Sequence, residues 1–371
     1  MWHYYLPTHV FFGETVVEKH GKVVQECGAK ALIVTGRRSA RLSGALHDII
    51  KVLTELKIPY IHFDRVEENP SFETVRKGTE LLRKENCDFV IAIGGGSPLD
   101  AGKAMAIMGT DPDLKVEDLY DRESYLFSLP VVAIPTTSGT GSEVTQYSVL
   151  TDDEGNKKGF ATPHAFPMYS FLDPRYTITM TEETTIATAL DALSHSIEGE
   201  LLNNAVNPIV KNHSRVTNEL IKNNLKNATI TPEDIPVRSL LQYAAMLAGI
   251  VIAHTGTTVV HAAGYPLSSK RGIKHGIANA VFLVEVLRKV EESDPDRVKN
   301  AIDPFESLNE LEAFLNSFGV NEYKIELSDD ELESWAEKAA RAPHNARTPG
   351  EFDVEFYRNL YKKVRKCQNT E

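Results

Sequence analysis

Residues 89–108 read FVIAIGGGSPLDAGKAMAIM, and the fold turns on how this stretch is read. A short run of β-branched and aromatic residues enters Gly94, Gly95 and Gly96, and a helical pattern opens immediately behind them. A strand passing through a glycine turn into a helix is the repeating unit of a parallel sheet covered by helices. Ser97 suits the N-cap, Pro98 the first helical position and Asp100 a capping-box role. Three glycines exceed what a cap requires. Without Cβ atoms they let backbone N–H groups approach an anion, which the helix dipole also favours, so the turn reads as a phosphate cradle. A well-capped helix after a tight turn is the plainer alternative. The spacing is not G-x-G-x-x-G and the strand is not the first, so the usual dinucleotide fingerprint is absent.

The same grammar extends to both sides. Strands are expected at Lys30–Thr35, Pro59–Phe63 and Leu129–Ile134, with amphipathic helices at Ser43–Leu56 and Phe72–Glu85 between them. Tyr147–Thr151 and Tyr169–Leu172 read as a hairpin or as edge strands. Beyond Asp173-Pro174 helical periodicity takes over at Glu182–Leu202, Pro208–Leu225, Ser239–Ala263, His275–Val290 and a charged tail, Ser328–Lys366. The expected architecture is an α/β domain with a parallel sheet over residues 1–175, then an all-α domain over 176–371. Ligands commonly sit in the cleft between two such halves. An apolar edge near Val10–Phe12 offers pairing to a second copy, making a homodimer the expected assembly.

Two further loops carry polar chemistry. IPTTSGTGSEVT (134–145) supplies hydroxyls at Thr136, Thr137, Thr140 and Ser142, and it lies at the same sheet edge as the glycine turn if its strand is a neighbour. VTGRRSARLSG (34–44) places Arg37 and Arg38 where a helix should begin, against the helix dipole. An anion beside Gly36 resolves that conflict. Arginines in place of an acidic residue favour the 2′-phosphate of NADP over NAD; two solvated arginines are the competing reading.

In the second half, Asp191 and His195 lie four apart in DALSHSIEGE, while His261 and His275 flank Pro266 and Gly272, expected to form a turn. Residues i and i+4 share a helix face, so carboxylate and imidazole can address one ion. One oxygen and three nitrogen ligands suit Fe(II), Zn or Mn. With twelve histidines in 371 residues, the Asp191–His195 pair taken alone reads equally as a helix-surface contact.

A net charge of -12 and a pI of about 5.5 argue against nucleic acid and anionic membranes as partners. Cys27, Cys87 and Cys367 are too few and too scattered for a disulfide framework. The N-terminus lacks signal-peptide features, and no apolar run reads as long enough to span a bilayer. A cytoplasmic location is the expectation.

Taken together, GGGSPLD, IPTTSGTGSEVT, DALSHSIEG and the histidines of VVHAAGYP and IKHG resemble the iron-containing (group III) alcohol dehydrogenases in order and spacing along essentially the whole chain. The resemblance implies a dehydroquinate synthase-like fold, an α/β dinucleotide-binding domain followed by an all-α metal-binding, catalytic domain, with Fe(II), or Zn, held by Asp191, His195, His261 and His275. It implies that Gly95, Gly96 and Ser97 hold a pyrophosphate, with Asp100 in the same turn. Thr136, Thr137 and Thr140 then line the adenosine and phosphates, and Asn69, Val149 and Lys158 lie around the ribose or nicotinamide. The implied reaction is hydride transfer between NADP, or NAD, and a small primary alcohol or diol or the matching aldehyde. Tyr265 is a departure, because many members carry a proton-relay histidine four residues past the third ligand. His254 can share a helical face with His261, and Glu198 can support a ligand. A lyase using Lys270, Arg271 and Lys274 on a sugar phosphate and a non-catalytic relative are the rivals.

Overall fold

The computed structural model describes residues 1–202 and 207–366; Cys367 lies outside them. The strands are β1 (His9–Phe12), β2 (Ala31–Gly36), β3 (Tyr60–Val66), β4 (Phe89–Gly94), β5 (Val131–Pro135), β6 (Tyr147–Thr151), β7 (Lys157–Ala161) and β8 (Tyr169–Leu172). Six of them form one parallel sheet in the order β1-β8-β5-β4-β2-β3. Side chains alternate across it. Leu32 and Val34 face a core shared with Val75 and Met105, whereas Ala31 and Ile33 face a core shared with Ile49 and Leu53. Both faces are therefore covered, which is why these strands read as unbroken apolar runs.

The chain leaves β2 for β3 on one side and returns to β4 on the other. The crevice at the carboxyl ends of β2 and β4 is thus a topological switch point. Expected strands and observed strands agree closely, with two refinements. β6 pairs antiparallel with β7 as a separate hairpin, and β8 enters the main sheet between β1 and β5. β1 is the sheet's edge strand, so the apolar edge expected at Val10–Phe12 is present.

The second half is built on helices Glu182–Leu201, Pro208–Ile230, Ile235–Thr255, Val259–Arg271 and His275–Glu291 around a core that includes Leu193, Leu225, Val260 and Leu287. Four expectations are corrected here. The single helix at Ser239–Ala263 is two, broken at Gly256, whose φ of 90° suits glycine. Pro266 lies inside helix Val259–Arg271 and not in a turn; Gly272 alone makes the left-handed C-cap. Helix Ile235–Thr255, with 21 residues and a mean hydropathy of 1.6, does meet the length and composition of a membrane span. Since 61% of that stretch is buried, helix packing accounts for its apolarity. The charged tail is also divided, into helices Asp329–Ala340 and Val354–Val364 joined through the turn Pro343–Ala346.

Candidate active site

A cleft of about 900 Å³ runs between the carboxyl edge of the sheet and the helical half. Its sheet wall follows from strand register. Gly94 pairs with Pro135 across β4 and β5, and the Thr136 N–H donates to the Gly94 carbonyl at 2.8 Å. The glycine turn and the threonine loop therefore sit side by side, as expected. An added Cβ on Gly96 would lie 2.9 Å from the Thr140 side chain, so the two loops leave no room for one.

The cap is made differently from the expectation. Helix Gly96–Met108 has Gly95 as its N-cap with no side-chain cap bond, which places Pro98 at the third helical position. Ser97 Oγ instead accepts the Asn69 N–H at 3.1 Å. Asp100 reaches away from the helix start, accepting from Ser142 Oγ at 2.6 Å and from the Val149 N–H at 2.9 Å. Beneath it, fully buried Lys103 donates to Ser142 Oγ at 2.8 Å and to the Thr145 and Tyr147 carbonyls at 2.9 and 2.8 Å. Burial lowers its pKa to about 8, with Asp100 and Glu143 opposing. Helix, threonine loop and hairpin are thus fastened at one point, which the sequence did not announce because the contacts are 39 or more residues apart.

Of the residues expected around a cofactor, Gly36, Asn69, Gly95, Gly96, Ser97, Asp100, Thr137, Thr140 and Val149 line the cleft. Four do not. Thr136 is buried beneath it; Arg37 and Arg38 are exposed beside it, with Gly36 and Ser39 forming the wall. Lys158 points outward to Asp152 at 3.2 Å, because alternate residues of a strand face opposite ways. Its neighbour Lys157 lines the cleft and donates to Ser268 Oγ at 2.9 Å, joining the hairpin to the helical half.

The opposite wall holds the Asp–His set. Ligand atoms of Asp191, His261 and His275 all lie within 4.8 Å of one another. His195 Nε2 is 3.7 Å from Asp191 Oδ1, and its ring stacks on His261 at 5.1 Å. Gly276 permits this convergence: a Cβ there would strike the Ala187 carbonyl on the Asp191 helix.

Glu198 sits directly behind. The His261 Nδ1–H donates to Glu198 Oε1 at 2.7 Å, and the other carboxylate oxygen takes the Thr258 N–H at 2.8 Å and hydroxyl at 2.7 Å. His261 Nε2 is left facing Asp191. Asn279 was missed from sequence, although it lies one helical turn beyond His275. Its Nδ2 reaches Asp191 Oδ1 at 3.4 Å, His261 Nε2 at 3.2 Å and His275 Nε2 at 3.3 Å.

Burial lowers the pKa of His195, and lowers that of His275 well below the ordinary range with Lys157 adding to the effect. Burial also pushes His261 down, but the Glu198 carboxylate outweighs it and the net shift is upward. For Glu198 burial raises, and His261 overcomes it to leave a pKa of about 2. Neutral imidazoles beside a buried carboxylate fit a divalent cation, since a metal competes with protons for the same nitrogens. The Nδ1 atoms of His195 and His275 are buried without hydrogen-bond partners.

Tyr265 stacks on His275 at 5.9 Å, and burial pushes its phenol up to about 12, so it keeps its proton at neutral pH. His344 lies 6.2 Å from Tyr265, with burial lowering it to about 4. His254 belongs to the preceding helix and not to that of His261. It accepts the Tyr5 N–H at 3.0 Å and stacks on Tyr4, away from the cleft. Of the three basic residues a lyase would need, Arg271 is bound to Glu331 at 2.7 Å and packs over Trp335, while Lys274 lies 3.9 Å from Glu183.

Comparison with known proteins agrees with this geometry. The profile of the iron-containing alcohol dehydrogenases matches residues 7–174, and that of the Fe-containing alcohol dehydrogenase family, C-terminal, matches 185–364. The chain is similar to the crystal structure of an iron-containing alcohol dehydrogenase from Thermotoga maritima, with 46% identity, a TM-score of 0.92 and coverage of 98% of this chain and 99% of that one. It is 31% identical over 299 residues to the NADPH-dependent butanol dehydrogenase of Clostridium saccharobutylicum, covering 78% of this chain and 74% of that protein. It is 29% identical over 288 residues to the NAD-dependent methanol dehydrogenase of Bacillus methanolicus, covering 77% and 75% respectively. A glycine-turn sheet wall facing an Asp–His wall, matched by both family profiles, places this chain in the iron-containing alcohol dehydrogenase family.

Proposed function

We propose that this NAD(P)-linked alcohol dehydrogenase uses Asp191, His195, His261 and His275 to hold a divalent iron, and that it prefers NADP. The observation that carries the metal assignment is the convergence of buried Asp191 and His261 with half-buried His275 within 4.8 Å, with Glu198 fixing the His261 tautomer. When bound, such an ion supplies Lewis acidity to the alcohol or aldehyde oxygen. Iron in place of zinc rests on family membership, because the ligand set accepts both.

The chain's own residues orient and enclose. Backbone of Gly95 and Gly96, at the start of a 13-residue helix, faces the cleft where a pyrophosphate is favoured by the helix dipole. Asp100, Ser142 and Lys103 keep that turn in register with the threonine loop. Glu198 holds the proton on His261 Nδ1 so that Nε2 keeps its lone pair. Holding both reactants against the buried histidines lowers the barrier through orientation and exclusion of water. The substrate is a small primary alcohol or diol, or its aldehyde.

The preference for NADP rests on β2. It ends at Gly36, brings no carboxylate of its own to a ribose 2′-hydroxyl, and is followed by Arg37 and Arg38, two exposed guanidinium groups that have no ion pair among the described residues. Turnover of butanal after anaerobic reconstitution with Fe(II), compared with NADPH and NADH, tests both parts. A kcat/KM ratio above about tenfold for NADPH, equivalent to about 1.4 kcal/mol, is expected. Equal values would remove the arginine assignment, and activity independent of added metal would remove the site. A homodimer joined along the β1 edge and a cytoplasmic location complete the proposal.

A further inference from the structure

Where the cleft meets a second cavity of about 510 Å³ beneath the N-terminal residues, Arg122 and Tyr147 line both spaces. Arg347 lines the cleft at the same end. A Cβ on Gly256 would lie 3.2 Å from Arg347 Nη1 and 4.0 Å from the Tyr147 hydroxyl, so the missing side chain leaves space beside the guanidinium. Both arginines bear electrostatically on Tyr147, lowering a phenol that burial raises. They bracket it.

Neither guanidinium has a hydrogen bond or ion pair within the described residues. The carboxylate that precedes Arg122 is engaged elsewhere: Asp121 is turned to the Glu123 N–H at 3.1 Å and the Ser124 hydroxyl at 3.1 Å. The acidic residues that do line the cleft are elsewhere. Glu67 and Glu68 adjoin Asn69, Asp100 lies under the glycine turn, and Asp191 belongs to the histidine set. A protein of net charge -12 thus keeps one end of its reaction cleft free of carboxylates and furnished with two unpaired arginines.

That end is on the substrate side. The Arg347 N–H donates to the His344 carbonyl at 3.1 Å, His344 abuts Tyr265 at 6.2 Å, and Tyr265 stacks on His275 at 5.9 Å. The glycine turn lies at the opposite wall. We propose that Arg122 and Arg347 bind an anionic group at the far end of the substrate, so that the preferred substrate is a short aldehyde or alcohol carrying a carboxylate or similar anion. This rests on the alcohol dehydrogenase reading and narrows it. The reaction balances as for any aldehyde: the carbonyl carbon takes a hydride from the reduced nicotinamide, the oxygen takes one proton, and the carboxylate is a spectator. Guanidinium donors suit a planar carboxylate geometrically and electrostatically.

The test compares 4-oxobutanoate with butanal, equal in carbon number and differing in the terminal group, on the Fe(II)-reconstituted enzyme and on R122Q, R347Q and the double variant. The expected result is a kcat/KM at least tenfold higher for 4-oxobutanoate, with that ratio falling tenfold or more in the double variant through the KM of the anion. Calorimetric titration of the cofactor-loaded protein should show 4-hydroxybutanoate binding more tightly than 1-butanol, with the difference lost in the same variant. Butanal reduced as efficiently as 4-oxobutanoate would overturn this inference and leave the dehydrogenase reading standing. A ratio unmoved by the variants would also overturn it, as would a rise confined to the KM of the dinucleotide, which would assign the arginines to the cofactor. Reduction of neither aldehyde would overturn both readings.

Discussion

On the helical wall of the cleft, Asp191, His195, His261 and His275 are side chains fixed by other side chains. Glu198 closes on His261, Asn279 spans three of the four, and Gly276 presses the His275 helix start onto the Asp191 helix. On the sheet wall, the surface is largely the backbone of Gly95 and Gly96 and the hydroxyls of Thr137 and Thr140, set by strand register and by a buried lysine. The first wall concentrates its function in a few atoms; the second spreads it over many. Single substitutions should accordingly be severe on the helical wall and graded on the sheet wall.

His261→Ala should have the largest effect. It removes a proposed ligand and also leaves Glu198 as a buried carboxylate without its imidazole. Bound iron measured by atomic absorption should fall to background. Turnover should drop on the order of a thousandfold or more, since Lewis-acid stabilisation is worth several kcal/mol and each 1.36 kcal/mol is tenfold. Full metal content in the variant would exclude His261 from the site.

Glu198→Gln comes next. It keeps the volume and loses the charge that raises His261 and orients its ring, so metal affinity should fall about 10- to 100-fold, as outer-shell partners typically require. Competition with a chelator of known affinity measures it. A change under about twofold would mean that the ring is held by packing alone.

The same pair predicts a pH dependence. The folded-state pKa of His261 is raised, so below it a proton must leave before the metal binds; His195 and His275 are lowered and already neutral there. Metal affinity should fall about tenfold per pH unit as pH drops through the raised His261 value, then more steeply once the other two protonate. A steep multi-proton slope from the outset would show that the three imidazoles titrate together.

How far each wall was legible in the sequence follows the same division. That Asp191, His195, His261 and His275 come together could be read because their spacing along helices, and their order in the chain, carried the pattern. Glu198 followed from its position one turn past His195. The sheet order was partly legible, since the unbroken apolar runs at 31–36 and 89–94 announce strands covered on both faces. What could not be read was anything set by contact across long sequence separation. Ser97 looked like a cap because Ser before Pro usually is; only the fold brings Asn69 close enough to claim its hydroxyl. Lys103 sits in an apolar helix and gives no hint that Ser142 and Tyr147 will surround it. The break at Gly256 was hidden by apolar residues on both sides, which kept helical periodicity running through a glycine with φ of 90°.

On the sheet wall the expected effects are smaller. Gly96→Ala places a Cβ 2.9 Å from the Thr140 methyl, whereas Gly95→Ala places one 3.3 Å from Thr137. Overpacking of about 1 kcal/mol at Gly96 should raise the dinucleotide KM about fivefold. Gly95→Ala should do less, because Thr137 needs to give only slightly. Equal penalties would mean that both amides, and not the fit between loops, set the affinity.

The smallest effect should be at Lys158, and its contrast with Lys157 tests how the hairpin faces the cleft. Lys158 is about half exposed, with 54% of its side chain accessible, and it pairs with Asp152, whose carboxylate also accepts the Glu154 and Asn156 N–H groups. Such a pair is worth about 0–1 kcal/mol, so Lys158→Met should leave the KM of dinucleotide and alcohol within about twofold. Lys157→Met takes a cation from among Asp191, Glu68 and Asp100, and it cuts the bond to Ser268 that ties the hairpin to the helical half. Its dinucleotide KM should rise clearly more than that of the Lys158 variant. The reverse order would require β7 to be turned over by one residue. Because alternate residues of a strand face opposite sides, it would also turn Lys158 and Phe160 to the other face together.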